Sequence, residues 1–259
     1  MINTLKNSFR EVKRYPSAIV GVIIILLMIA VAIYTLIALP YQKVINMWRG
    51  GEDVWYMNPK FAAPAWTNFF KAKKEPVSFA VDTQSGSLKQ EITDLSSTSQ
   101  QIVMTYTFNF NADSYPQDLM LYFTNTYKEK MPFVNITLTN PLGNTVQVTQ
   151  TGVTQKQTIR FSQEKKLTSK YSGNKLSNMQ GLFSDPRADK LTPLKGEYTL
   201  KIVATTFEKD STVNAQFVFF GTVYGLAGTD MNRRDLMIPL LWGTPIALAF
   251  GLIGSLATL

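Results

Sequence analysis

The segment Gln101-Ile-Val-Met-Thr-Tyr-Thr-Phe-Asn-Phe110 decides the fold of the central region. Its large apolar side chains alternate with polar ones at a period of two, which predicts a β-strand with one buried face. Comparable runs follow at Leu119–Thr124, Phe133–Thr139, Thr145–Thr149, Thr158–Phe161, Glu197–Phe207 and Thr212–Val223. Short strands with few helical patterns between them predict an antiparallel β-sandwich-like domain over residues 77–223.

The connections between these strands are of two kinds. Asn140-Pro-Leu-Gly-Asn144 predicts a tight turn, because Pro fixes φ and Gly relieves the corner. The polar stretch Gln163–Lys195 is too long for a hairpin loop and predicts an excursion with a short helix. Ahead of the domain, residues 41–76 hold several prolines and predict an irregular juxtamembrane linker.

An apolar run from Ala18 to Leu39 precedes this region and is long enough to cross a hydrocarbon core of about 30 Å. It predicts a transmembrane helix over residues 17–40. A cleavable signal peptide is the competing interpretation, although the run exceeds the ~7–15 residues of a signal core. Basic residues dominate positions 1–16, which predicts a cytoplasmic N-terminus and an extracellular location for residues 41–235. Residues 4–15 form either an amphipathic helix on the membrane surface or a solvated tail.

A second apolar run extends from Leu236 to Leu259 and contains no charged residue. Pro239 and Pro245 predict that its continuous helix begins near Thr244, so residues 237–259 are expected to start a second transmembrane helix that the chain truncates. The run is rich in small residues of the kind that let membrane helices approach closely. The predicted helix-packing residues are Gly243, Gly251, Gly254 and Ser255.

Composition narrows the possible functions. The formal net charge is +8, but the basic residues are interleaved with acids, so no nucleic-acid site is expected. The chain has no Cys and no His, which removes thiol nucleophiles, disulfides and the commonest zinc ligand. The acidic residues show no metal-loop spacing and no Gly-rich phosphate loop is present, so we expect no metal or cofactor site, and the composition leaves an enzyme without support but does not exclude one. Asn135 begins a glycosylation sequon.

The stretch Gly228-Thr-Asp-Met-Asn-Arg-Arg-Asp235 is the most informative in the chain. Within residues 224–236 it predicts a polar turn ahead of the second helix. Gly228 permits unusual backbone angles, while Asp230 and Asp235 can accept backbone hydrogen bonds or pair with Arg233 or Arg234. Asp235 is also a candidate cap for the helix that follows.

This stretch, together with Leu241-Trp-Gly-Thr-Pro-Ile-Ala-Leu248 and Gly251, resembles the L-G-T-D-x-x-G-R-D region of the C-type permease subunit of oligopeptide, dipeptide and nickel ABC importers. The opening Lys13-Arg14-Tyr15-Pro16 is similar to the start of that family's first helix. Arg233 departs from the pattern by replacing a Gly, Pro239 stands where Ser-Arg is usual, and Thr244-Pro245 replaces Ala-Arg. The matching motif residues are Gly228, Thr229, Asp230, Arg234 and Asp235, followed by Gly243, Leu248 and Gly251.

The resemblance implies an N-terminal fragment of a multi-pass plasma-membrane permease with a β-rich domain inserted into its first external loop. It implies three kinds of protein partner in the bilayer or beside it: a second permease subunit, two cytoplasmic ATPase subunits and an extracellular substrate-binding protein. The alternative is a membrane-tethered extracellular β-sandwich that binds a ligand or a surface protein. An extracellular enzyme with a carboxylate pair is a more distant alternative.

Overall fold

The computed structural model describes residues 15–185 and 190–258. The chain divides into two compact units. The helical unit comprises residues up to Trp55 together with those from Arg234 onward, and the β unit comprises Tyr56–Arg233.

The β unit consists of two antiparallel sheets that share one hydrophobic core. The first sheet has the strand order β1-β9-β4-β7 and the second has the order β2-β3-β8-β5-β6. The strands are β1 Phe79–Asp82, β2 Lys89–Asp94, β3 Gln100–Phe110, β4 Asp118–Thr126, β5 Phe133–Thr139, β6 Thr145–Gly152, β7 Lys156–Arg160, β8 Gly196–Thr206 and β9 Thr212–Phe220. The predicted all-β character of this region is therefore confirmed.

Aromatic rings join the two sheets at the centre of the core. Phe79 of the first sheet lies 5.7 Å from Phe108 of the second, and 5.0 Å from Phe219 of its own sheet. Phe108 also stacks on Tyr198 at 5.7 Å. Burial in this core raises the pKa of the Tyr198 hydroxyl, which donates to the carbonyl of Leu194. The alternation seen in β3 is thus the pattern of a strand whose inner face meets the opposite sheet.

Two elements of the β unit differ from the sequence-based expectation. All six residues of β2 are exposed, and an edge strand with no buried face produces no alternation to detect. The excursion after β7 contains two short helices rather than one, α3 Lys165–Tyr171 and α4 Asn178–Phe183. Ser177 and Gln180 form a capping box at the start of α4.

The helical unit contains α1 Pro16–Ala38, α2 Tyr41–Arg49 and α5 Met237–Ala257. Helices α1 and α5 are long and apolar enough to cross a membrane, and most of their surface is exposed. The basic residues 1–14, with the hypothesis of an amphipathic helix there, lie outside the described residues. Helix α2 occupies part of the segment predicted to be irregular, where Pro40 fixes the backbone just before its first turn.

Helix α5 begins at Met237, seven residues before the predicted start at Thr244. Pro239 is tolerated because it lies in the first turn, where a backbone N–H has no acceptor within the helix. Pro245 lies inside the helix and supplies no N–H to the carbonyl of Leu241. The predicted start was wrong because Pro239 falls in the first turn, and because the carbonyl that Pro245 leaves without a helical donor receives another one.

The hydroxyl of Thr35 supplies that replacement. Thr35 is fully buried, and its Oγ1 lies 2.8 Å from the carbonyl oxygen of Val31 and 3.4 Å from that of Leu241. Its single hydrogen is shared between one acceptor on its own helix and one on α5. The polar contact between α1 and α5 therefore forms where Pro245 leaves a carbonyl without its helical donor.

Glu208 hydrogen-bonds the connection between β8 and β9 to the connection between β4 and β5. Its carboxylate accepts hydrogen bonds from the backbone N–H groups of Lys128, Glu129 and Lys130 at 2.7–2.8 Å, and from the Ser211 hydroxyl at 3.4 Å. The N–H groups of Lys128, Lys130 and Glu129, in that order of effect, lower the pKa of Glu208 from 4.5 to about 2.

We expect the substitution Thr35→Val to weaken the pairing of α1 with α5 by about 1 kcal/mol, whereas Thr35→Ser should retain it. The measurement is unfolding of the full chain in mixed micelles as the fraction of denaturing detergent rises. In a Pro245→Ala background the carbonyl of Leu241 regains an N–H donor, so the cost of Thr35→Val should shrink. An equal cost in both backgrounds would contradict this role for Thr35.

We expect Glu208→Gln to lower the thermal midpoint of the β unit at neutral pH and to flatten its acid dependence. Because the folded pKa is lowered, the contribution of this carboxylate is complete above about pH 4.5 and is lost as the pH falls towards about 2. Near-ultraviolet circular dichroism of the full chain in mild detergent follows the aromatic core. Glu91→Gln, on the exposed strand β2, is the control and should leave both quantities unchanged.

Candidate functional site

The motif before α5 is hydrogen-bonded to a segment far away in the sequence. Within the β unit, residues 58–66 lie alongside residues 222–233, and we call these two segments the clip. Ala63 donates its N–H to the carbonyl of Thr222 at 3.0 Å and accepts one from Tyr224 at 2.9 Å. Ala65 donates to Gly225 at 2.9 Å. The clip therefore holds the two ends of the β unit side by side.

Thr229 is the buried centre of the clip, with 4% of its surface exposed. Its hydroxyl donates to the carbonyl of Pro59 at 2.8 Å and accepts the N–H of Ala62 at 3.0 Å. Its own N–H donates to the carbonyl of Ala62 at 2.9 Å. One side chain thus satisfies two backbone groups that would otherwise be buried without partners.

Gly228 is required by the path of the chain. Its φ of +76° lies in the left-handed region, and a Cβ at this position would stand 2.2 Å from the carbonyl oxygen of Ala62. Neither the backbone angle nor the space tolerates a side chain. The close approach of Gly228 to Ala62 allows Thr229 to reach its partners.

Asp230 and Arg233 close the turn that follows. The Asp230 side chain accepts the N–H of Asn232 at 2.9 Å, and its carbonyl accepts the N–H of Arg233 at 3.1 Å. Arg233 has a φ of +64°. Its guanidinium donates to the carbonyl of Asn58 at 2.6 Å and lies 4.9 Å over the ring of Phe220. Asn58 was not singled out from the sequence, because no local pattern marks a partner 175 residues away.

The last two motif residues belong to the helical unit. The Arg234 guanidinium lies 4.2 Å over the ring of Trp48, a cation–π contact with α2. The Asp235 carboxylate accepts the N–H of Met237 at 2.8 Å. A carboxylate at this position complements the positive end of the helix dipole, but the N-cap residue of α5 is Leu236, one residue after the candidate that the sequence offered.

The small residues predicted to pack helices lie on the exposed side of α5. Gly243, Gly251, Gly254 and Ser255 are all exposed, and a Cβ at any of the three glycines would meet no atom of this chain within 4 Å. The buried side of α5 carries Ile238 instead. Packing through the small residues would need a helix other than α1, and it stays a prediction.

The buried polar side chains in the rest of the described residues form hydrogen bonds within the fold. Among residues 15–185 and 190–258 no group of three or more acidic side chains is arranged to hold a metal ion. Asp118 is 3% exposed, and no local pattern marks it as a buried carboxylate. Its carboxylate pairs with Arg160 and accepts two hydrogen bonds from Ser162, at 3.1 Å from N and 2.8 Å from Oγ. Asn135, on β5, accepts a hydrogen bond from Gln147 at 2.7 Å.

Comparison with known proteins identifies no relative by sequence: no family model matches, and no curated protein matches. Among solved structures, that of TmCBM61 in complex with β-1,4-galactotriose matches over 64% of this chain and 96% of its own length. The sequence identity is 10% and the TM-score is 0.27. A structure described as "CBM4 structure and function" covers 56% of this chain and 85% of its own, with 8% identity and a TM-score of 0.20. A chain in the structure of the Gt strain of infectious bursal disease virus matches over 56% of this chain and 40% of its own length, with 13% identity and a TM-score of 0.22. Scores this low transfer no function to this chain.

We expect Gly228→Ala to destabilise the β unit far more than Gly143→Ala. Both glycines have a φ near +76° to +79°, but a Cβ at Gly143 meets nothing within 4 Å. The left-handed backbone alone costs about 1–2 kcal/mol, and only Gly228→Ala adds a clash with the backbone of Ala62. Urea unfolding of the full chain in detergent, followed by aromatic circular dichroism, measures both losses. Equal losses would mean that the close approach at Gly228 is unimportant.

Proposed function

We propose that this chain is the N-terminal part of a permease subunit of an ATP-driven ABC importer for peptides or similar solutes. In this proposal α1 and α5 are its first two transmembrane helices, with the N-terminus cytoplasmic and residues 41–235 outside. It pairs in the membrane with a second permease subunit and works with two cytoplasmic ATPase subunits. The supporting observation is the backbone conformation of the motif.

Two glycines of the family pattern coincide with two left-handed positions of this turn. Gly228 has a φ of +76° and Arg233, which stands where the pattern has its second Gly, has a φ of +64°. Gly is the residue that adopts this conformation without cost. Arg233 bears the cost of the conformation but gains contacts with Asn58 and Phe220 that a Gly would lack. The departure of Arg233 from the pattern is therefore compatible with the same turn.

The clip supports the insertion of a domain into a loop. Domain insertion is tolerated where the ends of the inserted domain lie close together. Ala63 and Val223 form a β-bridge, as do Val77 and Val223, so the chain enters and leaves the β unit at adjacent points. An external loop can carry the whole β unit without separating the segments on either side of it.

A subunit of this kind performs no covalent chemistry. ATP binding on the cytoplasmic subunits would drive a rigid-body rearrangement of the permease helices between two access states. The permease contributes the pathway and requires no cofactor. We propose that the β unit docks the substrate-binding protein outside the membrane.

The first experiment is affinity purification of the tagged protein from membranes of its native host. We expect an ATPase subunit and a second, non-identical permease subunit to co-purify in stoichiometric amounts. Recovery of the tagged protein without any ATPase would contradict the permease proposal and favour the membrane-tethered β-sandwich.

The second experiment removes the β unit and keeps the clip. Residues 67–221 are replaced by a short Gly-Ser linker, which leaves the segments 58–66 and 222–233 in place. We expect the ATPase to co-purify as before, while uptake at limiting solute falls about tenfold, equivalent to ~1.4 kcal/mol of lost docking free energy. Unchanged uptake and unchanged affinity for the binding protein would show that the β unit does not dock it. Immunoblots of the membrane fraction control for expression.

A further inference from the structure

The β unit presents a cluster of large apolar side chains to solvent, formed by one residue of each clip segment and by two residues that follow the first segment. Phe69 and Phe70 are 87% and 84% exposed, Trp66 is 52% exposed and Leu226 is 67% exposed. We call these four residues the aromatic patch. Large aromatic side chains normally account for much of a core, as the packed rings of Phe79, Phe108 and Phe219 do in this β unit.

The aromatic patch is held in place by its own hydrogen bonds and ring contacts. The rings of Trp66 and Phe70 meet edge to face with centroids 6.2 Å apart. The indole N–H of Trp66 donates to the carbonyl of Leu226 at 2.9 Å, which joins the two parts of the patch. The N–H of Phe70 donates to the carbonyl of Thr67 at 3.1 Å, at the end of a short 3-10 helix. The indole N–H, the main polar group of these side chains, therefore needs no water.

Three lysines follow the aromatic patch at once, in the sequence Phe69-Phe-Lys-Ala-Lys-Lys74. The Lys71 amine pairs with Glu75 at 2.6 Å, and Lys74 donates to the carbonyl of Asn68 at 2.6 Å. The Lys71 amine is the main cause that lowers the pKa of Glu75, with a smaller effect from the Thr222 hydroxyl. Lys73 is exposed. Positive charge thus borders the apolar surface.

We propose that the aromatic patch inserts into the headgroup region of an anionic lipid bilayer, with the lysines contacting lipid phosphates. Aromatic rings beside basic residues suit the boundary between headgroups and acyl chains, to a depth of about 5–10 Å. Lysines near an anionic surface add electrostatic attraction to it, and this attraction falls within a Debye length. The same chain carries two helices long and apolar enough to cross a membrane, so a bilayer is its available apolar partner. The contact requires the bilayer alone and no transport partner.

A single labelled cysteine tests this contact, because the chain has no Cys of its own. Phe69→Cys carries an environment-sensitive fluorophore on the full chain, reconstituted without other proteins into vesicles of phosphatidylcholine and phosphatidylglycerol. Lipids with a nitroxide on a shallow acyl carbon serve as quencher. Phe69 is almost fully exposed, so its replacement should not unfold the β unit. The matched control is Leu142→Cys, at the β5–β6 turn and 36% exposed.

We expect the label at residue 69 to be quenched several-fold more than the label at residue 142, with its emission shifted to the blue. Lys73→Gln combined with Lys74→Gln should reduce this quenching in mixed vesicles but not in phosphatidylcholine alone, because the variants remove attraction to the anionic lipid. Equal quenching at residues 69 and 142 would overturn the proposal. A label at residue 69 that is unquenched in vesicles but shielded in native membranes would also overturn it, and would assign the aromatic patch to a protein partner.

Discussion

The hydrogen bonds between Thr229 and the segment Pro59–Ala62 are the interactions on which the β unit depends at its ends. The hydroxyl at residue 229 both donates to the carbonyl of Pro59 and accepts from Ala62, in a position where water is excluded. An unpaired backbone group buried there would cost about 1–3 kcal/mol. This requirement explains why a Gly precedes Thr229: only a residue without a Cβ lets the two backbones approach closely enough.

The two sheets and the clip are stabilised by different interactions. The sheets obtain their stability from a core in which rings of both sheets meet, as Phe79 and Phe108 do. The clip instead satisfies the polar backbone of two loops that no strand pairing covers. In the helical unit Thr35 plays a comparable part, because its hydroxyl reaches a carbonyl that Pro245 leaves without a helical donor. In each case one hydroxyl at a defect in regular hydrogen bonding maintains the local fold.

These features agree with the proposal of a permease subunit that carries an inserted domain. The family pattern places glycines at the positions occupied here by Gly228 and Arg233, and both have positive φ. The lipid contact proposed for Trp66, Phe69 and Phe70 adds a second role for the linker. In this view the linker carries a membrane-facing surface next to the hydrogen bonds of the clip.

The sequence alone was sufficient for the repeating parts of this protein. Alternation in β3 predicts its buried face because a strand has a period of two, and the apolar runs predict α1 and α5 because a helix rises a fixed distance per residue. It was insufficient for the exposed strand β2, which lacks a buried face, and for the start of α5, where the effect of Pro239 depends on its place in the first turn. Only the tertiary structure joined Asn58 with Arg233, and Thr35 with Leu241. These contacts link residues more than 170 positions apart, and no local pattern encodes a hydrogen bond whose two partners are brought together by the rest of the fold.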